Sequence, residues 1–358
     1  MRTKLLVAFC FLLMGHVYAQ SYSTVTKTSA DGKYTWREIE NDPSHVRFYE
    51  LKNGLTVILA ENHLEPRIMS LFAVKAGSKN DPANNTGLAH YLEHMLFKGT
   101  NKFGSLDYEK ESKQLAVVEA LYEKYNKTRD PLLRKKIYHQ IDSVSGVAAT
   151  FAIANEYDKM MGSLGSNMTN AFTSFENTTY MENIPSNNLE RFLKVQAERF
   201  RMPVLRLFHT ELEAVYEEKN IGLDNGSNKI FETLFASLFK KHPYGTQTTI
   251  GKPEHLKNPS MVNIHNYFNT YYVPNNMAIC LSGDIDYDHT IQMIDSAFGI
   301  LKPNPDIPES IFPVEEPITS VVSRNIFGPE PENAVIGFRL SGITSKDRIY
   351  ATIIENIM

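Results

Sequence analysis

The pattern of apolar and polar residues near the start of the chain is typical of paired β-strands. Residues 47–51 and 55–59 lie on either side of Asn53-Gly54, and Asn-Gly favours the positive backbone angles of a tight hairpin turn. A further strand is predicted over residues 68–75. These three segments predict the beginning of an antiparallel sheet.

Beyond these strands the apolar positions recur at the spacing of helices. The first predicted helix covers residues 87–98 and is followed by a helix-ending glycine, Gly99. Residues 105–160 predict an inserted hairpin of two long antiparallel helices, with a break at 126–131. The remaining predicted elements are strands at 169–174 and 278–282 and helices at 189–200, 205–223, 227–240, 260–271 and 287–300.

The same pattern divides the chain into a main domain and the beginning of another. The predicted parts are an extended lead-in at 20–44, the main domain at 45–301, a Pro-rich linker at 302–317 and a truncated second domain at 318–358. Strands predicted at 318–327 and 333–340 repeat the opening pattern. The predicted fold is therefore α+β, a mostly antiparallel sheet packed against helices, with the start of a second similar domain.

Residues 1–19 have the composition of a secretory signal peptide. Arg2 and Lys4 precede an apolar core of about eleven residues, short of the roughly twenty that a membrane-spanning helix needs. Val17 and Ala19 occupy the −3 and −1 positions of a cleavage site. A buried N-terminal helix is the alternative. We expect an exported protein, periplasmic or secreted, without a membrane span.

The net charge and the number of cysteines exclude two features, a nucleic-acid-binding surface and an intrachain disulfide. The formal net charge is −4 and no basic face is evident, so binding to nucleic acid is not expected. Cys10 lies in the predicted signal, which leaves Cys280 alone and excludes an intrachain disulfide in the mature chain.

The pentapeptide at residues 90–94, His-Tyr-Leu-Glu-His, is the strongest chemical signal. At 100° per residue, His94 lies about 40° from His90 and Glu93 about 60° to the other side, so the three side chains share one helical face. Two imidazoles one turn apart can bind one zinc ion, and the carboxylate can reach a water beside it. The alternative is a polar helix face with two solvated histidines.

A catalytic zinc site needs a third protein ligand, and residues 211–218 offer an acidic helix. Glu211 and Glu218 are seven positions apart and lie within about 20° of each other, whereas Glu217 lies about 120° from Glu211. The face shared by Glu211 and Glu218 is therefore expected to turn inward. Solvated acids throughout this helix are the alternative.

Several further motifs occur in one order along the chain. They are residues 87–100 around the pentapeptide, 170–173 with 179–180, the acidic segment 211–218, 242–244 with 249–251, 272–277 and 283–284. Together they resemble the pitrilysin/insulinase family of zinc peptidases, which includes the mitochondrial processing peptidase. The resemblance covers roughly residues 45–300.

The resemblance implies a role for seven residues. His90, His94 and Glu218 would hold one zinc ion, and Glu93 would activate the water. The second acid, Glu211, would support the helix and the histidines. Asn170 and Ala171 would contact the backbone of the substrate. An extended peptide would add as a strand beside residues 170–173. The implied activity is hydrolysis of peptide bonds.

Two features depart from the family pattern. His94 and Glu218 are 124 positions apart, longer than the usual interval, and the inserted hairpin accounts for the excess. The chain also ends before the later half that encloses the substrate, so a missing C-terminal half or a partner subunit is expected to complete the chamber. A non-catalytic peptide-binding subunit and an interaction protein with a structural zinc are the remaining alternatives.

Overall fold

The computed structural model describes residues 22–328 and 331–357. The predicted signal peptide at residues 1–19 lies outside them. Among the described helices, none has both the length and the apolar character needed to cross a membrane.

One eight-stranded sheet organises the main domain. Its strands are β1 (Thr24–Thr28), β2 (Thr35–Ile39), β3 (Arg47–Glu50), β4 (Thr56–Glu61), β5 (Arg67–Val74), β6 (Met168–Thr173), β7 (Thr178–Pro185) and β8 (Met277–Gly283). They lie in the order β1-β2-β3-β4-β8-β5-β7-β6. Only the β4–β8 pair is parallel among these strands. The prediction of a mostly antiparallel sheet is therefore confirmed.

The predicted hairpin is the β3–β4 pair, in which Glu50 lies opposite Thr56. Gly54 has a φ of 83°, and a Cβ there would lie 2.7 Å from the Cβ of Asn275. The turn therefore needs glycine both for its backbone angle and for space.

The segment expected as a lead-in, residues 20–44, contributes two strands to the sheet. β1 and β2 form a hairpin, and β2 pairs with β3. Trp36 of β2 is buried and its ring lies 5.7 Å from that of Tyr49. Backbone pairing of this kind requires little apolar periodicity, so a polar segment can join the sheet through one buried aromatic side chain.

Helices cover the sheet and fill the connections between strands. They are α1 (Leu88–Met95), α2 (Tyr108–Lys127), α3 (Pro131–Ala149), α4 (Glu156–Ser163), α5 (Leu189–Arg201), α6 (Phe208–Asp224), α7 (Gly226–Leu238), α8 (Pro243–Thr246), α9 (Pro253–Leu256), α10 (Met261–Tyr271), α11 (Tyr287–Phe298) and α12 (Lys346–Ile357). Short 3₁₀ turns occur at Ser78–Asn80, Ser186–Asn188 and Pro274–Asn276. The two helices predicted within residues 105–160 are α2 and α3, and they pack against each other. Helix α4 was not predicted.

The core lies between the sheet and the helices α5 and α11. Phe72 of β5 packs against Phe192 and Phe200 of α5 and Phe298 of α11, with ring centroids 5.7–5.9 Å apart. Helix α1 contacts β6 and β7 on one side and α6 and α10 on others. This central position explains why nearly every residue of α1 is buried.

The strands expected at 318–327 and 333–340 are wrong for the residues that the structure describes there. Val321, Phe327 and Phe338 are 95%, 90% and 80% exposed. A strand needs a neighbouring strand to pair its backbone, and none is paired with these segments among the described residues. Alternating apolar residues alone therefore did not produce a sheet.

Candidate metal centre

Helix α1 begins at a position that its surroundings fix closely. The carboxylate of Asp81 accepts hydrogen bonds from the backbone N–H groups of Gly87 and Ala89, at 2.7 and 3.0 Å. Gly87 has a φ of 91°, and a Cβ there would lie 2.7 Å from the carbonyl oxygen of Ile250. The buried cap and the close approach set the rotation of α1, and hence the direction of its histidines.

The structure brings His90, His94 and Glu218 together. The Nε2 atoms of the two histidines are 3.3 Å apart, and Oε2 of Glu218 lies 3.6 Å from each. Ligands of a tetrahedral zinc ion, at about 2.0–2.1 Å from the metal, lie about 3.3–3.4 Å from one another. The three atoms therefore have the spacing of three corners of a zinc site.

The chemistry of these donors also fits a metal ion. Burial, with a smaller contribution from His94, lowers the pKa of His90 to about 4, so its imidazole is neutral at physiological pH. Two inward-facing imidazole nitrogens beside a carboxylate form a set of lone pairs that a cation would satisfy.

Glu211 lies behind His94 rather than beside the three candidate ligand atoms. Its Oε1 is 2.8 Å from Nδ1 of His94, and its Oε2 is 2.5 Å from Nζ of Lys98. Burial alone would lower the pKa of His94, but the hydrogen bond and charge of Glu211 outweigh it and raise that pKa. Burial likewise opposes ionisation of Glu211, yet its bonds to His94 and Lys98 lower its pKa. The carboxylate therefore holds His94 with Nε2 facing the site.

Glu93 lies between the histidines and the edge of the sheet. Its Oε2 accepts a hydrogen bond of 2.5 Å from the hydroxyl of Thr173, the last residue of β6. Burial raises the pKa of Glu93, and the bond from Thr173 opposes that rise. A carboxylate with a raised pKa is suited to accept and release a proton near neutral pH.

Asn170 and Ala171 lie on β6, which is an edge strand of the sheet. Asn170 is exposed, and its Oδ1 accepts a hydrogen bond of 2.9 Å from the backbone N–H of Ala171. This N–H group is therefore not used in the ladder with β7. It is available to another acceptor if the Asn170 side chain turns away.

The candidate ligands, Glu93, Glu211 and the edge strand β6 all border one open cleft of about 670 Å³. Its lining contains His90, Glu93, Phe97, Lys98, His94, Asp158, residues 169–173, Glu211, Glu218, Thr249 and Ile250. Glu217 is exposed and is not part of the lining. All seven residues singled out in the sequence thus border one cleft.

Two residues that contact the acids of the cleft, Lys98 and Thr173, were not singled out from the sequence. Lys98 follows His94 by four positions, the spacing of side chains on one helical face, and this signal could have suggested its approach to Glu211. Thr173 lies in the motif at 170–173, but nothing local in the sequence links it to Glu93, which is 80 positions away. Only the packing of α1 against β6 brings them together.

Two family models match the chain. The model described as "Insulinase (Peptidase family M16)" matches residues 56–126 and 146–251. The model described as "Peptidase M16 inactive domain" matches residues 262–358, which confirms the expectation that a further domain of this family begins in the chain. The first match omits residues 127–145, which contain most of α3.

Curated relatives are similar over most of this chain. It is 27% identical over 311 residues to the insulin-degrading enzyme of Mus musculus, covering 83% of this chain and 26% of that protein. It is 24% identical over 311 residues to the zinc protease PqqE of Helicobacter pylori, covering 84% of this chain and 57% of that protein. The chain thus spans only part of the length of these relatives.

Solved structures share the fold. A protease from Helicobacter pylori superposes with a TM-score of 0.57 at 23% identity, over 75% of this chain and 54% of that one. The first half of the periplasmic protease PqqL from Escherichia coli superposes with a TM-score of 0.55 at 18% identity, over 76% and 50%. With the family matches, these similarities lead to one assignment: the chain belongs to the insulinase family of peptidases, family M16.

Proposed function

We propose that this chain is the zinc-binding part of a metallopeptidase that hydrolyses extended peptides or unfolded segments. The observation that supports it most strongly is the spacing of 3.3–3.6 Å among three ligand atoms of His90, His94 and Glu218. Glu93 and an edge strand border the same cleft, as hydrolysis of a bound peptide would require. One zinc ion per chain is proposed.

In this proposal the protein residues hold and orient the reacting groups. Zinc, when bound, supplies Lewis acidity that polarises the scissile carbonyl and acidifies water. Oε2 of Glu93 is engaged by Thr173, which leaves Oε1 to accept the proton of the attacking water and deliver it to the leaving amine. Glu211 keeps His94 oriented and does not itself exchange protons with the substrate.

The substrate would bind in an extended conformation along β6. Backbone groups on the open side of β6 would pair with the peptide, and Asn170 and Ala171 would meet its main chain. Pairing of this kind recognises backbone rather than side chains, so we expect modest sequence preference. The peptide bond would then lie between β6 and the helix that carries Glu93.

We also propose that a further part of the molecule closes the cleft and that the protein is exported. A further half, either a C-terminal portion or a partner subunit, would close the cleft, because relatives of this family are longer than the matched region. Residues 1–19 would act as an export signal, and the periplasmic protease PqqL offers an exported relative by structure. The protein would then act in the periplasm or outside the cell.

The decisive experiment replaces Glu93 by Gln and compares the intact proteins at equal zinc occupancy. Gln keeps the size and the bond from Thr173 but cannot accept a proton. We expect zinc content to stay the same while hydrolysis of a fluorogenic peptide library falls by a factor of about 10² or more. Glu217→Gln is the matched control and should retain full activity.

Other outcomes separate the alternatives. Normal turnover in Glu93→Gln would exclude Glu93 as the base. A zinc-loaded wild-type protein that binds peptides but hydrolyses none would instead identify a non-catalytic, peptide-binding subunit.

A further inference from the structure

The start of α6, the helix that carries Glu211 and Glu218, has no local signal that would fix its position. Leu207 occupies the N-cap position with a φ of 56°, and no side chain caps the helix there. A non-glycine side chain is strained in the left-handed region, so this turn needs support from elsewhere. Its neighbours Arg206, Phe208 and His209 are nevertheless all buried.

The inserted hairpin of α2 and α3 supplies that support. Tyr122 of α2 is hydrogen-bonded through its hydroxyl to Nδ1 of His209, at 2.7 Å. Its ring packs edge-on against that of Phe208, with centroids 4.9 Å apart. Tyr138 of α3 lies 5.2 Å from the His209 ring. Both helices of the insertion therefore contact the first turn of α6.

The active-site helix contacts the same turn from the opposite direction. The hydroxyl of Tyr91 in α1 donates a hydrogen bond to the carbonyl oxygen of Phe208, and the two rings are 4.8 Å apart. Phe208 is thus clamped between Tyr91, next to His90, and Tyr122 of the insertion. This clamp sets the relation between the helix with the two histidines and the helix with the third ligand.

We infer that the inserted hairpin is a positioning element of the metal site, acting through Tyr122 and Phe208 on the placement of Glu218. The inference rests on the proposed zinc site. It gives a role to a hairpin of which the family model matches Tyr122 and most of α2 but not residues 127–145.

The geometry makes the site sensitive to this clamp. Glu218 lies eleven residues beyond Leu207, or about 16 Å along the helix axis. A tilt of about 5° at the clamp would move Glu218 by about 1.4 Å over that length. Zinc–ligand distances tolerate only about 0.2 Å, so even a small loss of support would weaken binding.

Zinc affinity, measured by competition with a chromophoric chelator, tests the inference directly. Tyr122→Phe removes only the bond to His209, and Phe208→Leu removes the clamped ring. We expect affinity to fall about tenfold in the second, the lower end of the roughly 10–100-fold effect of outer partners of metal ligands. The fall should be about threefold in the first, which loses a single bond further from the ligands. The visible spectrum of the cobalt-substituted proteins should change as well, since it reports ligand geometry.

Lys113→Met is the matched control. Lys113 lies on α2 of the same hairpin and pairs with Glu109 at 3.0 Å, and both side chains are exposed, so neither takes part in the buried contacts with α6. All proteins are compared at a temperature at which circular dichroism shows each fully folded. Zinc affinity and the cobalt spectrum of this variant should match those of the wild type.

Three results would overturn the inference. In the first, Tyr122→Phe and Phe208→Leu lower the unfolding temperature but keep wild-type affinity and spectrum, which would make the hairpin a stabilising element only. In the second, Lys113→Met loses as much affinity as Phe208→Leu. In the third, the wild-type protein binds no zinc, and that result removes the proposed function itself.

Discussion

Replacing Glu111 by Gln tests a fully buried ion pair that connects α2 to Arg206, just before the helix that carries Glu211 and Glu218. Nε and Nη2 of Arg206 donate to the two carboxylate oxygens of Glu111, at 2.6 and 2.8 Å. The two side chains are 1% and 0% exposed. Gln has nearly the same volume, so the substitution removes the charge and one of the two bonds while leaving the packing in place.

The expected loss of stability depends on the hydrogen bonds that Arg206 keeps after the substitution. Removing one partner of a buried ion pair costs about 3–5 kcal/mol, because the other charge stays buried. Arg206 also donates to the carbonyl oxygens of Lys98 and Thr100, at 2.7 and 3.0 Å, and these bonds would persist. We therefore expect a loss at the lower end, about 3 kcal/mol, which is a large part of a typical stability of about 5–15 kcal/mol.

Urea unfolding in the presence of a chelator measures this loss without a contribution from bound metal. Glu109→Gln is the control on the same helix. Glu109 pairs with Lys113 at 3.0 Å, but both side chains are exposed, so the unfolding midpoint should not change. A loss below about 1 kcal/mol for Glu111→Gln would show that the buried pair contributes little and that the reasoning from its burial is wrong.

Two predictions concern the metal site itself. Glu218→Ala should strongly lower zinc occupancy at neutral pH, whereas Glu217→Ala should leave it nearly unchanged; the opposite pattern, read by metal analysis, would identify Glu217 as the ligand. Zinc must displace the proton from Nε2 of His94, whose pKa is raised, so affinity should fall about tenfold for each pH unit below that pKa. Glu211→Gln removes the largest of the contributions that raise the pKa of His94, so the fall should begin at lower pH. An unchanged pH dependence, measured by chelator competition, would contradict this account.

Local spacing carried most of what the sequence could reveal about the site. His90, Glu93 and His94 share a helical turn, so their common face follows from helix geometry alone. Glu211 and Glu218 share a face of α6 for the same reason. Helix geometry alone does not, however, predict which of the two lies beside the histidine Nε2 atoms. Whether an acid lies beside the Nε2 atoms, as Glu218 does, or beside Nδ1 of His94, as Glu211 does, depends on how α6 crosses α1, and tertiary contacts set that crossing.

The fold shows the same division between local and tertiary information. The β3–β4 hairpin and the long helices were predictable because turn chemistry and apolar period specify them locally. The strands predicted at 318–327 and 333–340 were not formed, because a strand exists only with a partner. β1 and β2 were missed for the complementary reason, since a partner strand was present and the apolar pattern was weak.

The place of β8 in the sheet has a consequence for how the domain is made. β8 lies between β4 and β5, and through it the two parts of the described sheet are joined. It begins 216 positions after β4 ends. Until β8 has been synthesised, the edges of β4 and β5 that pair with it therefore stay unpaired. Unpaired strand edges are templates for association with other chains.

Contacts between segments so distant in the chain also form slowly. β8 is the latest of the sheet strands to be synthesised, and it lies after every residue of the candidate metal centre. Completion of the sheet beneath that centre thus depends on a strand that contributes no side chain to it.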